Sequence, residues 1–209
     1  YTLCRGNIMA MNPQWCQPVS VWKNYFQQWV TTATPGEILD INIFFDFRCA
    51  YGDEGLVETL RTHVKSLTTG NNSLFVYLTQ GILNVSPSFV SSGSNDLIDI
   101  KLGLRPIIDA ARAYSILHGI HATGTIERLK TLFQKGMISN SLQRDLLYAF
   151  QYAMRLRILH QIRLFEANTP PDNIIKDDEL LEYDRIILKR IVQTIKTMQS
   201  KISLDSKGT

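Results

Sequence analysis

The second half of the chain carries a nearly unbroken series of helical hydrophobic periods, and this series most constrains the fold. Between residues 106 and 202, apolar side chains recur every three or four positions, the spacing that places them on one face of an α-helix. Breaks at Gly119, Gly136 and the Pro170-Pro171 pair divide the series, because glycine ends helices and proline cannot continue them. The sequence therefore predicts four consecutive helices that bury their apolar faces against one another.

Residues suited to helix starts predict where these four helices begin. The predicted first or capping residues are Pro106, Thr125, Ser139, and Asp177 or Asp178, which are types favoured at helix N-termini. Three further helical patterns lie upstream, near residues 19–30, 56–67 and 74–85, and Asp53 is placed to cap the second of them. The chain is therefore predicted to be mainly helical.

Two segments break this helical pattern and predict β-structure. Residues 41–48 alternate so that a strand would place Asp46 and Arg48 together on the face opposite Ile41 and Ile43. An acid in so apolar a strand needs a partner, and both Arg48 and a bound metal ion remain open as that partner. Residues 87–104 predict a short hairpin with its turn at 91–95 and with Asp99 and Lys101 on its polar side.

The five turn-forming residues 69–73 provide the clearest internal boundary. We predict a domain at residues 1–69 and a second at 70–209. The predicted fold class is mainly α: a helical bundle with a small N-terminal α+β part and a short hairpin. Because the chain opens on Tyr1 and runs directly into structured sequence, we expect it to be part of a longer protein.

Composition excludes several classes of function. No apolar run approaches the ~20 residues that span a membrane, and the net charge of +3 is too small to predict a nucleic-acid footprint. The three cysteines are an odd, widely spaced set and do not group with histidines at zinc spacing. Unpaired thiols predict a reducing compartment, so we expect a cytoplasmic protein that binds neither membrane nor nucleic acid.

Four segments, taken in order, resemble a known family. They are LCRGNIMAMNPQW at 3–15, IFFDFR at 43–48, LGLRPIIDAAR at 102–112 and TIERL at 125–129. Together they resemble the C-terminal two-thirds of bacterial signal-transduction nucleotidyltransferases related to the uridylyltransferases of the nitrogen-regulatory PII protein. The resemblance spans nearly all 209 residues.

The resemblance implies a metal-dependent active site. Enzymes of the polymerase-β-like nucleotidyltransferase fold hold two Mg²⁺ ions with three carboxylates, which bind a nucleoside triphosphate and stabilise the displacement of pyrophosphate. By resemblance, Asp46 corresponds to the third carboxylate and is a catalytic, Mg²⁺-binding residue. The family's Gly-Ser loop and D-x-D pair have no counterpart in these 209 residues. We therefore expect Mg²⁺ only in the full-length enzyme, and an isolated fragment that is inactive.

The resemblance also implies roles for the two domains. Residues 1–69 correspond to the tail of the catalytic domain, and residues 70–209 to a helical substrate-binding domain. Four polar residues become candidates for substrate binding: Arg48, Lys101, Arg105 and Asp109. For the last, an ion pair with Arg112 within one helix is the structural alternative.

The resemblance further implies the partners. They are a nucleoside triphosphate, a regulatory protein or small-molecule acceptor, and cyclic-nucleotide-binding or CBS domains upstream in the parent chain. We also expect a homodimer, because a strand at residues 39–47 would have an unpaired edge.

Two other functions remain open. One is a non-catalytic helical module for signalling or dimerisation. The other is a HEPN-type helical ribonuclease, because Arg155 and His160 form the R-x4-H pattern of those enzymes on a predicted long helix. The alternative for His160 is a buried imidazole bonded to a backbone group or an acidic side chain.

Overall fold

A computed structural model describes residues 12–32, 42–86, 89 and 97–207. The chain divides into two units, Tyr1–Asn71 and Asn72–Thr209. The described residues form seven α-helices, two short 3₁₀ helices and one two-stranded antiparallel sheet. The predicted fold class, a helical bundle with a small β-element, is confirmed. None of the helices in these described ranges is long and apolar enough to cross a membrane.

The first unit contains helices α1 (Val19–Thr32) and α2 (Glu54–Thr68), which pack against each other. Asp53 caps α2 as predicted, because its Oδ1 accepts a hydrogen bond of 2.8 Å from the backbone N–H of Gly55. A 3₁₀ helix at Asn42–Asp46 lies between these helices in the chain.

The strand predicted over residues 41–48 is therefore wrong, and aromatic packing gives the reason. The ring of Phe44 lies 5.2 Å from the ring of Trp29, and the ring of the next residue, Phe45, lies 5.3 Å from the ring of Phe26. Trp29 and Phe26 both belong to α1. A strand would send two successive side chains to opposite faces, whereas a helical turn lets both pack onto α1. The strand edge on which the predicted homodimer depended is thus absent from residues 42–46, and residues 39–41 lie outside the described part.

The second unit is a bundle of five helices. They are α3 (Asn72–Leu83), α4 (Ile100–Leu117), α5 (Thr125–Gln134), α6 (Asn140–Glu166) and α7 (Glu182–Asp205). Helix α4 is central, since it packs against each of the other four. The side chains that bury their apolar surface around it include Ile107, Leu129, Leu146, Leu188 and Ile195.

Helix α4 begins six residues before Pro106, the predicted start. Asp99 caps it through a 2.9 Å hydrogen bond from the backbone N–H of Leu102 to Oδ1, so the side-chain cap lies further upstream than the proline suggested. Pro106 sits buried inside the helix. Lys101, predicted on a hairpin strand, is instead an exposed residue of the first turn of α4.

The short strand β1 (Leu97–Asp99) pairs with β2 (Ile174–Lys176) in antiparallel register, with Ile98 opposite Ile175. The strand predicted to continue to residue 104 ends at Asp99, because Asp99 caps α4. The predicted turn at 91–95 and most of the first arm lie outside the described residues. The described part thus pairs two strands that are far apart in the chain, which no local pattern predicts.

The starts of the last three helices agree only in part with the predictions. Ser139 caps α6 as predicted, with Oγ accepting from the N–H of Leu142 at 3.2 Å. Thr125 is the first residue of α5, but its cap is Gly124. Asp177 and Asp178 do not cap α7, because they form a 3₁₀ turn (Asp177–Glu179), and α7 starts after it.

Candidate substrate-binding groove

An open groove lies on the surface of the second unit between helices α6 and α7. Its main cavity has a volume of about 520 Å³, which lies in the range of small-molecule sites. A second cavity of about 310 Å³ shares Asp145, Arg190 and Thr194 with the first. The two cavities therefore form one continuous site, which we call the α6–α7 groove.

Charged side chains of both helices line the groove. Arg144 on α6 and Arg190 on α7 line it, and within the described ranges neither guanidinium forms an ion pair or a hydrogen bond. Asp145 is partly buried in both cavities, and its carboxylate likewise has no partner among the described side chains. Two unpaired guanidiniums can bind an anion through paired hydrogen bonds, while the carboxylate can accept hydrogen bonds from a donor.

The two ends of the groove differ in polarity. The end nearest Tyr148 is apolar, with Leu147, Ile186 and Ile187 in its wall. The opposite end is lined by the hydroxyl-bearing residues Ser139, Ser141, Thr194 and Thr197. A ligand that fits the whole groove therefore has an apolar or planar part, an anionic part and a polar part, in that order.

A buried tyrosine–aspartate pair supports the apolar end. Tyr148, with 51% of its surface exposed, stacks on Tyr152 with ring centroids 5.8 Å apart. The buried Tyr152 hydroxyl donates a 2.5 Å hydrogen bond to Oδ1 of Asp184 on α7. Burial, and then this hydrogen bond, raise the pKa of Tyr152 far above its ordinary value, so the hydroxyl stays protonated and keeps donating.

His160 lies further along α6, in a structural cluster. Its side chain is only 7% exposed. The ring atom Nε2 lies 2.8 Å from Oδ1 of Asp172, and Nδ1 lies 3.6 Å from Oε2 of Glu179. Beside it, Arg157 donates to Asn173 at 2.7 Å. These contacts fasten the segment before β2 to α6, which confirms the prediction of a buried His160 bonded to an acidic side chain. A buried ring that is hydrogen-bonded to Asp172 and lies close to Glu179 is poorly placed for the ribonuclease chemistry considered for Arg155 and His160.

The Asp172 contact predicts a specific acid sensitivity. The hydrogen bond from His160, followed by the backbone N–H of Ile174, lowers the pKa of Asp172 below its ordinary value of 3.8. A carboxylate with a lowered folded-state pKa stabilises the fold above its unfolded pKa and stops doing so as the pH falls through its folded pKa. We expect Asp172→Asn to lower the free energy of unfolding by less than about 1 kcal/mol at pH 6, because the carboxylate is more than half exposed.

Thermal unfolding of wild type and Asp172→Asn between pH 6 and 3 measures this. The difference between the two melting temperatures should shrink as the pH falls through and below 3.8. A difference that stays constant over this range would show that the charge of Asp172 contributes nothing. Asp178→Asn, on an exposed side chain of the adjacent turn, is the control and should show no difference at any pH.

The predicted site residues lie elsewhere. In the first unit, Asp46 ends the 3₁₀ helix with its side chain half-buried, and Arg48 is exposed. No three His, Cys, Asp or Glu side chains gather into a metal-binding group anywhere in the described residues. The described residues alone therefore do not fit a two-metal centre. Asp46 would need further carboxylates to complete the metal ligands.

In the second unit, three predicted residues lie on α4. Arg105 Nε lies 3.3 Å from Oδ2 of Asp109, and Arg112 Nη1 lies 3.1 Å from Oδ1 of the same carboxylate. Asp109 thus bridges two arginines of its own helix, which is the structural alternative to substrate binding. Lys101 is exposed near the start of the helix. None of these α4 residues lines the α6–α7 groove.

The sequence interpretation did not identify the groove residues. Arg144 and Tyr148 are four residues apart on α6, as are Ile186 and Arg190 on α7, so each pair faces one side of its helix. That spacing indicated two surface faces with a cation and an apolar side chain. The spacing does not show that these faces of α6 and α7 line the same groove, because that depends on how the two helices pack.

The second unit is thus a helical bundle with a cationic, partly apolar surface groove. Sequence comparison matches residues 82–205 to the family described as "putative nucleotidyltransferase substrate binding domain" and residues 1–36 to the family described as "putative nucleotidyltransferase". The first match covers more than half of the chain, and the chain belongs to that nucleotidyltransferase substrate-binding family. No curated protein and no solved structure gives a significant match.

Proposed function

We propose that this chain is part of a nucleotidyltransferase in which the helical second unit recognises the substrate in the α6–α7 groove. The observation that carries the proposal is that Arg144 and Arg190, which have no ion-pair partner among the described residues, line one cavity. Both lie within the segment that matches the substrate-binding family. Substrates and products of nucleotidyl transfer carry phosphates, which arginine binds through two parallel hydrogen bonds.

The catalytic part of the proposal concerns Asp46 and Mg²⁺. The family resemblance of residues 43–48 supports Asp46 as one of three carboxylates that would hold the metal ions in the complete enzyme. Asp46 is half-buried and ends a short helix. We propose that the other two carboxylates belong to a part of the protein outside these 209 residues, and that the chain alone does not catalyse transfer.

The finer assignment follows from the same resemblance. We propose that the enzyme resembles the uridylyltransferases of the PII protein, acts in bacterial signal transduction in the cytoplasm, and modifies a regulatory protein or a small molecule. Cyclic-nucleotide-binding or CBS domains in the parent chain would supply the signal. Arg48, Lys101, Arg105 and Asp109 remain proposed contacts for substrate in that larger protein.

Substitution of Asp46 tests the metal-dependent part. In the protein that contains the Gly-Ser loop and the D-x-D pair, calorimetric titration of ATP and UTP should show binding that requires Mg²⁺. Asp46→Asn should weaken that binding about tenfold or more, because removal of one anionic ligand weakens metal binding. Asp53→Asn is the matched control, since asparagine caps a helix about as well as aspartate. Equal Mg²⁺-dependent affinity in wild type and Asp46→Asn would exclude the metal-ligand role.

A non-catalytic signalling module is the alternative that one observation favours. The second half of α6 exposes Ile158, Ile162 and Phe165, an apolar row that suits a protein contact. If Mg²⁺-nucleotide binding were absent from the complete protein, this alternative would replace the enzyme. A ribonuclease would instead show RNA cleavage that is lost in His160→Ala, and the two carboxylates around the buried His160 ring argue against it.

A further inference from the structure

We propose that the second half of α6 is a dimerisation surface, on which α6 of a second copy of this chain packs in antiparallel orientation. The surface consists of Arg155, Ile158, Ile162, Phe165 and Glu166, and we call it the α6 stripe. It lies outside the α6–α7 groove, so the proposal does not depend on the function proposed for that groove. It is also a different surface from the strand edge on which the sequence-based prediction of a homodimer rests.

The α6 stripe exposes a contiguous apolar surface. Ile158, Ile162 and Phe165 are 48%, 46% and 75% exposed, and Leu159 beside them is 38% exposed. The opposite side of this part of the helix faces the bundle, where His160 is buried. Single exposed apolar side chains are common on protein surfaces, whereas several on adjacent turns of one helix indicate a surface that another molecule covers.

The spacing of the stripe is that of a helix that packs along another helix. Residues 155, 158, 162 and 165 are separated by three, four and three positions. Such positions lie on one face of an α-helix, and they have the average period of 3.5 residues that is typical of paired helices. The stripe therefore suits an α-helix that lies along it.

The α6 stripe is complementary to itself when the second copy runs in the opposite direction. A two-fold axis through the middle of the stripe places Ile158 opposite Ile162 of the second copy and, by symmetry, Ile162 opposite Ile158. The same axis places Arg155 opposite Phe165 of the second copy and next to its Glu166. A guanidinium can stack on an aromatic ring and donate hydrogen bonds to a carboxylate. The apolar and the charged parts of the stripe thus each meet a matching group, which is why we assign the stripe to a second copy.

Parallel pairing of two α6 helices does not give this match. Each residue would lie opposite its own counterpart, so the two Arg155 guanidiniums would approach each other, and so would the two Glu166 carboxylates. Like charges that face each other across an interface weaken association. Both side chains are exposed, and neither has an ion-pair partner among the described residues. The charges of the stripe therefore favour the antiparallel arrangement.

The expected dimer is weak, because the stripe covers only about three helical turns. A contact of this length buries less than the roughly 800 Å² per partner that is typical of stable interfaces. We therefore expect reversible association with a dissociation constant on the order of 10–100 μM.

Sedimentation velocity of the 209-residue protein, at concentrations from about 1 to 500 μM that bracket this range, measures the association. Ile162→Glu should raise the dissociation constant about tenfold or more, because it places a carboxylate of each copy in the apolar centre of the contact. Leu204→Glu is the matched control, since Leu204 is 72% exposed in the last turn of α7, and it should associate as wild type does. Both positions are exposed, so circular dichroism should show both variants folded.

Exchange of two charges tests the antiparallel arrangement. Arg155→Glu should raise the dissociation constant about fivefold or more, because it would face Glu166 of the second copy, and Glu166→Arg should do the same. The variant that carries both exchanges should associate as wild type does. Residues 155 and 166 lie about 16 Å apart along one helix, so only contact between two copies explains such a rescue. Lys130→Glu, on an exposed side chain of α5, is the control for charge reversal and should have no effect.

Three results would contradict the proposal. A protein that stays monomeric over the whole concentration range would overturn it and leave the α6 stripe to another part of the parent chain or to a different protein. A dimer that Ile162→Glu leaves unchanged would place the interface on another face. A double charge variant that associates no better than the single variants would overturn the antiparallel arrangement.

Discussion

Replacement of Asp184 by alanine is expected to destabilise the second unit by about 2–4 kcal/mol. The buried carboxylate of Asp184 accepts two hydrogen bonds: Oδ1 from the hydroxyl of Tyr152 at 2.5 Å, and Oδ2 from the backbone N–H of Leu181 at 3.0 Å. Alanine would leave a buried hydroxyl without its acceptor, which costs about 1–3 kcal/mol. It would also remove the side chain that satisfies the N-terminus of α7, a loss of about 1 kcal/mol.

Urea unfolding followed by circular dichroism measures this effect. Asp184→Asn should lose less stability than Asp184→Ala, because its amide oxygen can still accept one hydrogen bond. Asp178→Ala, an exposed position in the preceding turn, is the control and should lie within about 0.5 kcal/mol of wild type. If Asp184→Ala were as stable as this control, the tyrosine–aspartate pair would make no net contribution to the free energy of unfolding.

A double-mutant cycle separates the two hydrogen bonds. Tyr152→Phe removes only the hydroxyl, so Asp184 keeps its contact with the N-terminus of α7. If the pair is coupled, the double variant should be less destabilised than the sum of the single variants by about 1 kcal/mol or more. Tyr152→Phe keeps the aromatic ring that stacks on Tyr148.

Helices and local caps could be predicted from the sequence because the interactions that decide them lie within one turn. Asp53 and Ser139 each bond a backbone N–H two or three residues away, and such contacts are independent of the rest of the fold. The seven helices follow from the same short spacings. The error at Pro106 has a local cause as well: a proline suits a first turn but here lies deeper in the helix, behind the cap at Asp99.

The remaining features depend on contacts that no local pattern contains. The segment at residues 42–46 has the alternation of a strand, but packing of successive aromatic rings on α1 favours a helical turn. Strand β1 finds its partner at Ile174–Lys176, far along the chain. The groove likewise brings Arg144 and Arg190 to one cavity, and this depends on how α6 packs against α7.

Replacement of Gly103 by alanine is the second large effect we expect. Gly103 lies buried in α4, inside the LGLRPIIDAAR segment on which the family resemblance partly depends. A Cβ at this position would lie 2.6 Å from Cδ1 and Cζ of Phe89 and closer still to Cε1. Phe89 is only 2% exposed, so its ring has little room to move. We expect Gly103→Ala to destabilise the protein by about 1–3 kcal/mol, the usual cost of overpacking a core.

Gly81 provides a matched control on a neighbouring helix. A Cβ there meets nothing within 4 Å, and the residue lies in an exposed turn of α3. Gly81→Ala should therefore stabilise the protein by about 0.5–1 kcal/mol, because alanine has the higher helix propensity. If Gly103→Ala destabilises the protein while Gly81→Ala stabilises it, the difference is due to the clash with Phe89, because both substitutions gain the same helix propensity.

A smaller side chain at position 89 tests whether Phe89 causes the loss of stability expected in Gly103→Ala. Phe89→Leu alone should destabilise the protein by leaving unfilled space, but in the Gly103→Ala background the new methyl group would occupy part of that space. The double variant should therefore be more stable than the sum of the two single effects predicts. Strict additivity, or a Gly103→Ala variant as stable as Gly81→Ala, would show that Phe89 does not pack against Gly103. Glycine in the family segment would then need another explanation than the close approach of an aromatic ring to α4.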